Sequence, residues 1–181
     1  LTASVSSCGA AQNDSKKAVL QIGAIPDQNP EKLNRLYVTL SEDLSEKLDV
    51  PVRYAPVSNY AAAVSAFRTG SLDLVWFGGL TGVQARLQTP GSRVLAQRDI
   101  DAEFTSVFIA NSASGLRPFT SADQLVELKG RRLAFGSESS TSGRLMPQFF
   151  MGENGVKPED LAGGGPGFSG SHDATVAVVQ S

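Results

Sequence analysis

The chain has 181 residues, which suffices for one domain or two small α/β lobes, and its hydrophobic fraction of 41% is ordinary for a globular protein. The formal net charge of −2 leaves no excess of basic residues, which argues against nucleic acid as a partner. The single cysteine excludes a disulfide within this sequence, and no apolar run is long enough to span a bilayer.

The first seventeen residues resemble the end of a bacterial lipoprotein signal followed by a polar tether. Small residues in the run "VSSCG" surround Cys8, in the pattern of a cysteine that receives lipid. Residues 1–17 are therefore expected to be a signal remnant and tether. Cys8 would then anchor the protein on the periplasmic or cell-surface side of a membrane. The alternative is a disordered leader with an incidental cysteine.

Strand and helix patterns alternate in the first half of the chain. Short apolar runs predict strands, and apolar residues at helical spacing predict helices, the first of which begins at Pro30. Asn59 is a good N-cap residue, and Gly70 is a typical helix end. The predicted elements are a strand over 19–25, a helix over 30–48, a strand over 50–57, a helix between Asn59 and Gly70, a strand over 72–77 and a helix over 80–87.

The second half continues this alternation. Strands are predicted over 93–97, 105–110 and 131–135, and helices over 121–130, over 142–151 and from Ser171 onward. Parallel strands need crossover helices, so the alternation predicts an α/β fold with largely parallel sheets. The polar stretch 99–103 is the predicted crossing between two lobes. Because the last helical pattern stops without a cap, we expect the sequence to be a fragment of a longer protein.

Runs of small hydroxyl residues begin several of the predicted helices. Examples are "SSTS" at 139–142 and "SGSH" at 169–172. A helix start offers unpaired N–H groups and partial positive charge, and hydroxyls add donors without bulk, so a small oxyanion is a natural guest. The alternative is a simple capped helix, which is the stronger interpretation of 139–143 taken alone.

Motifs for catalysis and metal binding are weak in this sequence. It has neither the phosphate-loop pattern G-x-x-x-x-G-K-[ST] nor the nucleophile pattern G-x-S-x-G. The one histidine, His172 beside Asp173, is either functional or a polar pair at a helix start. One histidine and Cys8 do not make a ligand set for a metal. We therefore expect no catalytic residues, no metal and no cofactor.

Three motifs stand in this order: "NYAAAVSAFRTGSLDLVWFGG" at 59–79, "SSTSG" at 139–143 and "SGSHDAT" at 169–175. Together they resemble the PhnD-like family, whose members are periplasmic phosphate-, phosphite- and phosphonate-binding proteins of ABC transporters, and the resemblance runs from about residue 19 to the end. It implies the type II periplasmic binding protein fold, in which two α/β lobes enclose a cleft. The first lobe would span 18–100. The second, over 101–181, would be incomplete because of truncation at the C-terminus.

A closer subgroup likeness concerns the ligand. The stretches "IPDQNP", "FTSVFI", "SSTSGRLMP" and "SGSHDATVAVV" are similar to PhnD-like proteins labelled as selenate-transporter binding components. The resemblance to the PhnD-like family as a whole implies ligand contacts at Tyr60, Phe77, Phe104, Ser140, Thr141, Ser142 and His172. Phe77 and Phe104 stand where the family often has tyrosine. The loss of both hydroxyls favours a small oxyanion over a large aminoalkyl phosphonate.

The resemblance implies a binding component that hands phosphite, phosphonate or phosphate to a membrane permease and performs no chemistry. Family acidic residues that contact the ligand would lie beyond this sequence. Three alternatives stay open: a selenate- or sulfate-type binding protein, a ligand-sensing module of a signalling system, and a hydrolase that uses Ser140 and His172.

Overall fold

Strands alternate with helices through residues 19–181, the part of the chain that the computed structural model describes. The strands form two parallel sheets, one of three strands and one of two. The predicted lipid attachment at Cys8 and the tether at 1–17 lie outside the described residues. Within 19–181, no helix is long and apolar enough to cross a membrane.

The three-stranded sheet and its helices make up what we call the first unit. The strand order is β2-β1-β3, and all neighbours are parallel. Ile22 lies at the centre, paired with Tyr54 on one side and Leu74 on the other. The elements are β1 (Leu20–Ala24), α1 (Pro30–Leu48), β2 (Val52–Tyr54), α2 (Tyr60–Arg68), β3 (Leu74–Trp76) and α3 (Gly79–Gln88).

Helix α1 forms as its sequence predicts and covers one face of this sheet. The Asn29 side chain accepts the N–H groups of Glu31 and Lys32, which would otherwise be unpaired at the helix start. Leu33 and Tyr37 are buried against β1, and burial of one such apolar side chain contributes about 1.5–3 kcal/mol. Capping and burial together therefore fix where α1 begins and which face it turns inward.

The second unit has its own small sheet and its own core. Phe135 pairs with Phe168 in parallel register, and the two rings pack at 6.0 Å between centroids. The regular elements are β4 (Ala134–Phe135), α4 (Met146–Glu153), β5 (Gly167–Phe168) and α5 (His172–Gln180), with 3-10 helices at Ala122–Leu128 and Pro158–Asp160. The buried core consists of Leu125, Leu128, Phe135, Met151, Val156 and Leu161.

Two predicted strands, over 93–97 and 105–110, are wrong: no strand forms at these positions in the described structure. A strand exists only where its backbone groups bond to a neighbour, and neither segment pairs with one within 19–181. Their apolar side chains are accordingly exposed, as at Val94 and Val107. The predicted helix over 121–130 forms, but as a 3-10 helix that ends with the Lys129 N–H donated to the Val126 carbonyl.

Candidate functional site

The residues predicted to contact a ligand all line one cleft, which runs between the two units and opens widely toward residues 92–122. Most of them stand at helix starts: Tyr60 begins α2, Phe77 precedes α3, and His172 begins α5. The structure thus brings residues from both halves of the chain to one place. Their role as ligand contacts remains a prediction.

A wide helical turn carries the hydroxyl cluster of the cleft. Thr141–Leu145 is a π-helical turn ahead of α4, with the Leu145 N–H donated to the Ser140 carbonyl. Pro147 is the reason for the wide turn, because proline has no N–H for the Gly143 carbonyl four residues back. That carbonyl turns outward and accepts the N–H of Gly136 at 2.9 Å instead. The predicted helix over 142–151 is therefore present, but its first turn is reshaped at the candidate site.

Ser140 and Tyr60 form the buried floor of the site, each with about 3% of its surface exposed. The Ser140 hydroxyl oxygen accepts the Gly143 N–H at 2.9 Å and so caps the wide turn. Burial, and next the charge of Asp27, raise the pKa of Tyr60 to about 12, while hydrogen-bonding contact with Ser140 acts in the opposite direction. The phenol is therefore a protonated donor at neutral pH.

Thr141 connects the two units across the cleft. Its hydroxyl oxygen accepts the backbone N–H of Leu80 at 2.7 Å, which satisfies one of the free donors at the start of α3. A hydroxyl can accept and donate at once, and the Thr141 O–H has no acceptor among residues 19–181. Gly79 permits this approach, because a Cβ there would lie 3.1 Å from the Thr141 Oγ1.

His172 closes the opposite side of the hydroxyl cluster. Its backbone N–H donates to the Asp27 carbonyl at 3.1 Å, while the Ser171 side chain caps α5 by accepting the Ala174 N–H. A Cβ built on Gly143 would lie 3.4 Å from the His172 Cε1 and 2.9 Å from the Ser140 Oγ. Only glycine at 143 lets the imidazole and the serine approach the same stretch of backbone.

The two phenylalanines differ in their surroundings. Phe77 packs with Ile25, Tyr60 and Ala63, and its ring meets that of Phe67 edge-on at 5.6 Å. It therefore supports the floor of the site as a fixed apolar wall. Phe104 is 56% exposed and lines the open part of the cleft. Its neighbour Ser106 is tied to the wide turn, because the Ser106 hydroxyl donates to the Ser142 carbonyl at 2.9 Å.

Charged residues that the sequence did not predict as ligand contacts also line the cleft, among them Asp27 and Asp173. Asp27 lies in the "IPDQNP" stretch just after β1, and Asp173 follows His172. Their positions, one after a strand end and one beside the histidine, were the signals in the sequence that could have placed them near the site. Arg144, next to the hydroxyl cluster in sequence, is not one of the described residues that line the cleft. Hydroxyls, rather than an adjacent guanidinium, thus dominate the helix start at 140–142.

Comparison with known proteins links the whole described region to one family. The family model described as "ABC transporter, phosphonate, periplasmic substrate-binding protein" matches residues 22–181. Over 167 residues the chain is 56% identical to the "Probable ABC transporter phosphite binding protein PhnD1" of Prochlorococcus marinus (strain MIT 9301), covering 92% of this chain and 56% of that protein. It is 26% identical to the "Phosphate-import protein PhnD" of Mycolicibacterium smegmatis over 88% of this chain and 51% of that one.

A solved structure matches the fold as well as the sequence. PhnD1 of Prochlorococcus marinus (MIT 9301), in complex with methylphosphonate, is 57% identical and aligns with a TM-score of 0.88. The alignment covers 90% of this chain and 60% of that structure. The chain therefore spans little more than half the length of the relatives that it matches.

Proposed function

This chain belongs to the family of periplasmic substrate-binding proteins of phosphonate ABC transporters, and from that premise we propose that the complete protein captures a small tetrahedral oxyanion between two lobes. The α/β fold of periplasmic binding proteins, predicted from the resemblance, is confirmed. On this proposal the first lobe spans 18–100, the second begins at 101, and an ABC permease receives the ligand. Family members are periplasmic; lipid anchoring through Cys8 is part of the proposal.

One observation carries the proposal: Thr141 lines the cleft, its hydroxyl oxygen accepts the Leu80 N–H, and its hydroxyl hydrogen has no acceptor among residues 19–181. Beside it, the protonated Tyr60 phenol and the Ser140 hydroxyl supply further neutral donors. Hydrogen bonds from neutral donors to an anion contribute about 1.5–3 kcal/mol each, so the loss of any one of them should weaken binding measurably. All three hydroxyls belong to residues that line the same cleft, and we propose that they converge on one compact tetrahedral ligand.

The site supports capture without chemistry. The relatives carry transport names, and within the described structure the Ser140 hydroxyl caps a helix instead of meeting a general base. A hydroxyl held as an acceptor and donor stabilises an anion but is not activated as a nucleophile. Turnover of phosphate esters that Ser140→Ala abolishes would overturn this reading in favour of a hydrolase.

The proposed ligands are phosphite, a small phosphonate such as methylphosphonate, or phosphate. Asp27 lines the cleft and acts on the Tyr60 phenol, so a carboxylate is available near the donors. A carboxylate can accept a hydrogen bond from a protonated phosphorus oxyanion, whereas sulfate and selenate carry no such proton at neutral pH. A selenate- or sulfate-type ligand is the second candidate, to which the subgroup likeness of stretches such as "SSTSGRLMP" points.

The test is calorimetric titration of the full-length protein with phosphite, methylphosphonate, phosphate, sulfate and selenate. We expect at least one phosphorus anion to bind, and the double variant Ser140→Ala, Thr141→Val to lose at least about 100-fold in affinity. The exposed Thr39→Val on α1 is the matched control and should bind as the wild type does. Binding of none of the five anions, or an unchanged affinity in the double variant, would refute the proposal.

A further inference from the structure

Two helix starts meet at the edge of the cleft, one from each unit. The backbone N–H of Asn29, the N-cap residue of α1, donates to the Asp173 carboxylate at 2.7 Å. In the reverse direction, the His172 N–H at the start of α5 donates to the Asp27 carbonyl at 3.1 Å. These two hydrogen bonds join residues 27–29 of the first unit to residues 172–173 of the second.

The Asp173 carboxylate is well suited to this position. It lies in the first turn of α5 and reaches the N-cap of α1, so it faces the partial positive charge of two helix starts. A hydrogen bond from a backbone N–H to a carboxylate is about twice as strong as one between neutral groups. Because donor and acceptor belong to different units, the bond exists only while the units stand together at this edge.

We propose that Asp173 is a positioning residue for ligand capture: by accepting the Asn29 N–H it holds the two units together beside the anion and keeps His172 over the hydroxyl cluster. The inference rests on the proposed function of the same site. It assigns Asp173 no contact with the ligand. Because the bond needs both units together, we expect it to affect the rate of ligand release more than the rate of encounter.

The experiment compares Asp173→Ala, Asp173→Asn and the matched control Glu31→Ala in the full-length protein. Glu31 is the equivalent first-turn acid of α1, exposed and without an interunit hydrogen bond within the described residues. Stopped-flow measurement with phosphite and with methylphosphonate separates release from association. Fluorescence energy transfer between dyes on exposed sites of the two units reports closure directly.

For Asp173→Ala we expect release to become about tenfold faster, with association unchanged within about threefold, since one charge-assisted hydrogen bond is lost. The ligand-saturated protein should also show a lower closed fraction. Asp173→Asn keeps an oxygen that can accept the Asn29 N–H but loses the charge, so its release rate should lie between those of the wild type and Asp173→Ala. A merely structural role would lower the unfolding midpoint and leave the release rate unchanged.

The possible outcomes distinguish a failure of the positioning role of Asp173 from a failure of the proposed function. If the wild type binds an anion but Asp173→Ala releases it as slowly as Glu31→Ala does, the positioning role is refuted and the proposed function stands. If Asp173→Asn is as fast as Asp173→Ala, the shared hydrogen bond is not the cause. If the wild type binds neither probe, the proposed function fails for these ligands and the positioning role falls with it.

Discussion

The Thr141 hydroxyl oxygen accepts the backbone N–H of Leu80 at 2.7 Å, so the hydroxyl cluster of the second unit caps the first turn of α3 in the first. The hydrogen of the same hydroxyl has no acceptor among residues 19–181. One side chain can therefore hold the units together and bind an anion at the same time. On the proposed function, this one hydroxyl would couple ligand binding to closure of the two units.

Thr141→Val tests this coupling, because valine keeps the shape and removes the hydroxyl. We expect the affinity for methylphosphonate to fall about 10–100-fold in calorimetry, since both a donor to the anion and an interunit bond are lost. Thr141→Ser should stay within about threefold of the wild type. If serine binds as weakly as valine, the methyl packing of Thr141 matters rather than its hydroxyl.

Gly79→Ala tests the same contact from the other side. An added Cβ would lie 3.1 Å from the Thr141 Oγ1, so either the threonine or the start of α3 must move. We expect about a tenfold loss of affinity with little loss of folding stability, because alanine favours a helix over glycine by up to about 1 kcal/mol. Titration calorimetry and urea unfolding give the two quantities.

Gly152→Ala is the matched control for that substitution. Gly152 also lies in a helix, α4, and an added Cβ there meets nothing within 4 Å. It should bind ligand normally and gain slightly in stability. Equal affinities of the two alanine variants would show that the close approach of Gly79 and Thr141 is unimportant for binding.

Local patterns sufficed for the elements whose stabilising contacts are close in sequence. Pro30 predicted the start of α1 and Asn59 that of α2, because a first-turn proline and a cap act within about three residues. The strands predicted at 93–97 and 105–110 are wrong because a strand also needs a neighbouring strand to which its backbone can bond. The pattern of apolar side chains in a segment carries no information about such a neighbour.

The candidate site, like the fold, could be predicted from the sequence only in part. The motif resemblance led to Ser140, Thr141 and His172, and the structure places them along one cleft. It could not reveal that Pro147 widens the turn and sends the Gly143 carbonyl to Gly136, a pairing between residues of different elements. Nor could it reveal the bond between Asn29 and Asp173, which are 144 positions apart. Contacts between units depend on packing, which no local pattern encodes.

Ser140→Ala should lower both stability and affinity. The Ser140 hydroxyl caps the wide turn by accepting the Gly143 N–H, and loss of such a cap costs about 0.5–2 kcal/mol of unfolding free energy. The affinity for phosphite should fall about tenfold because a donor in the cleft is lost. Urea unfolding and calorimetry measure the two effects. Ser140→Thr, which retains the hydroxyl, should recover the affinity; failure to do so would contradict a donor role.

Tyr60 makes stability depend on pH in the alkaline range. Its pKa is raised to about 12, chiefly by burial, whereas an unfolded tyrosine loses its proton near pH 10. Between these values the unfolded chain releases a proton that the folded chain keeps, so the free energy of unfolding falls as pH rises from about 10 to about 12. Below pH 10 this contribution is fully present.

Tyr60→Phe should remove part of this decrease in the free energy of unfolding at alkaline pH. A two-unit difference in pKa corresponds to at most about 2.7 kcal/mol by linkage, spread over the range from about pH 10 to about pH 12. The pKa of Tyr37 is likewise raised to about 12, mainly by burial, so the variant should show a shallower slope rather than none. Urea unfolding at pH 8, 10 and 11.5 measures the slope for both proteins. Identical slopes would mean that the Tyr60 phenol ionises equally well in the folded and unfolded chains, which would contradict the burial of its hydroxyl in the floor of the site.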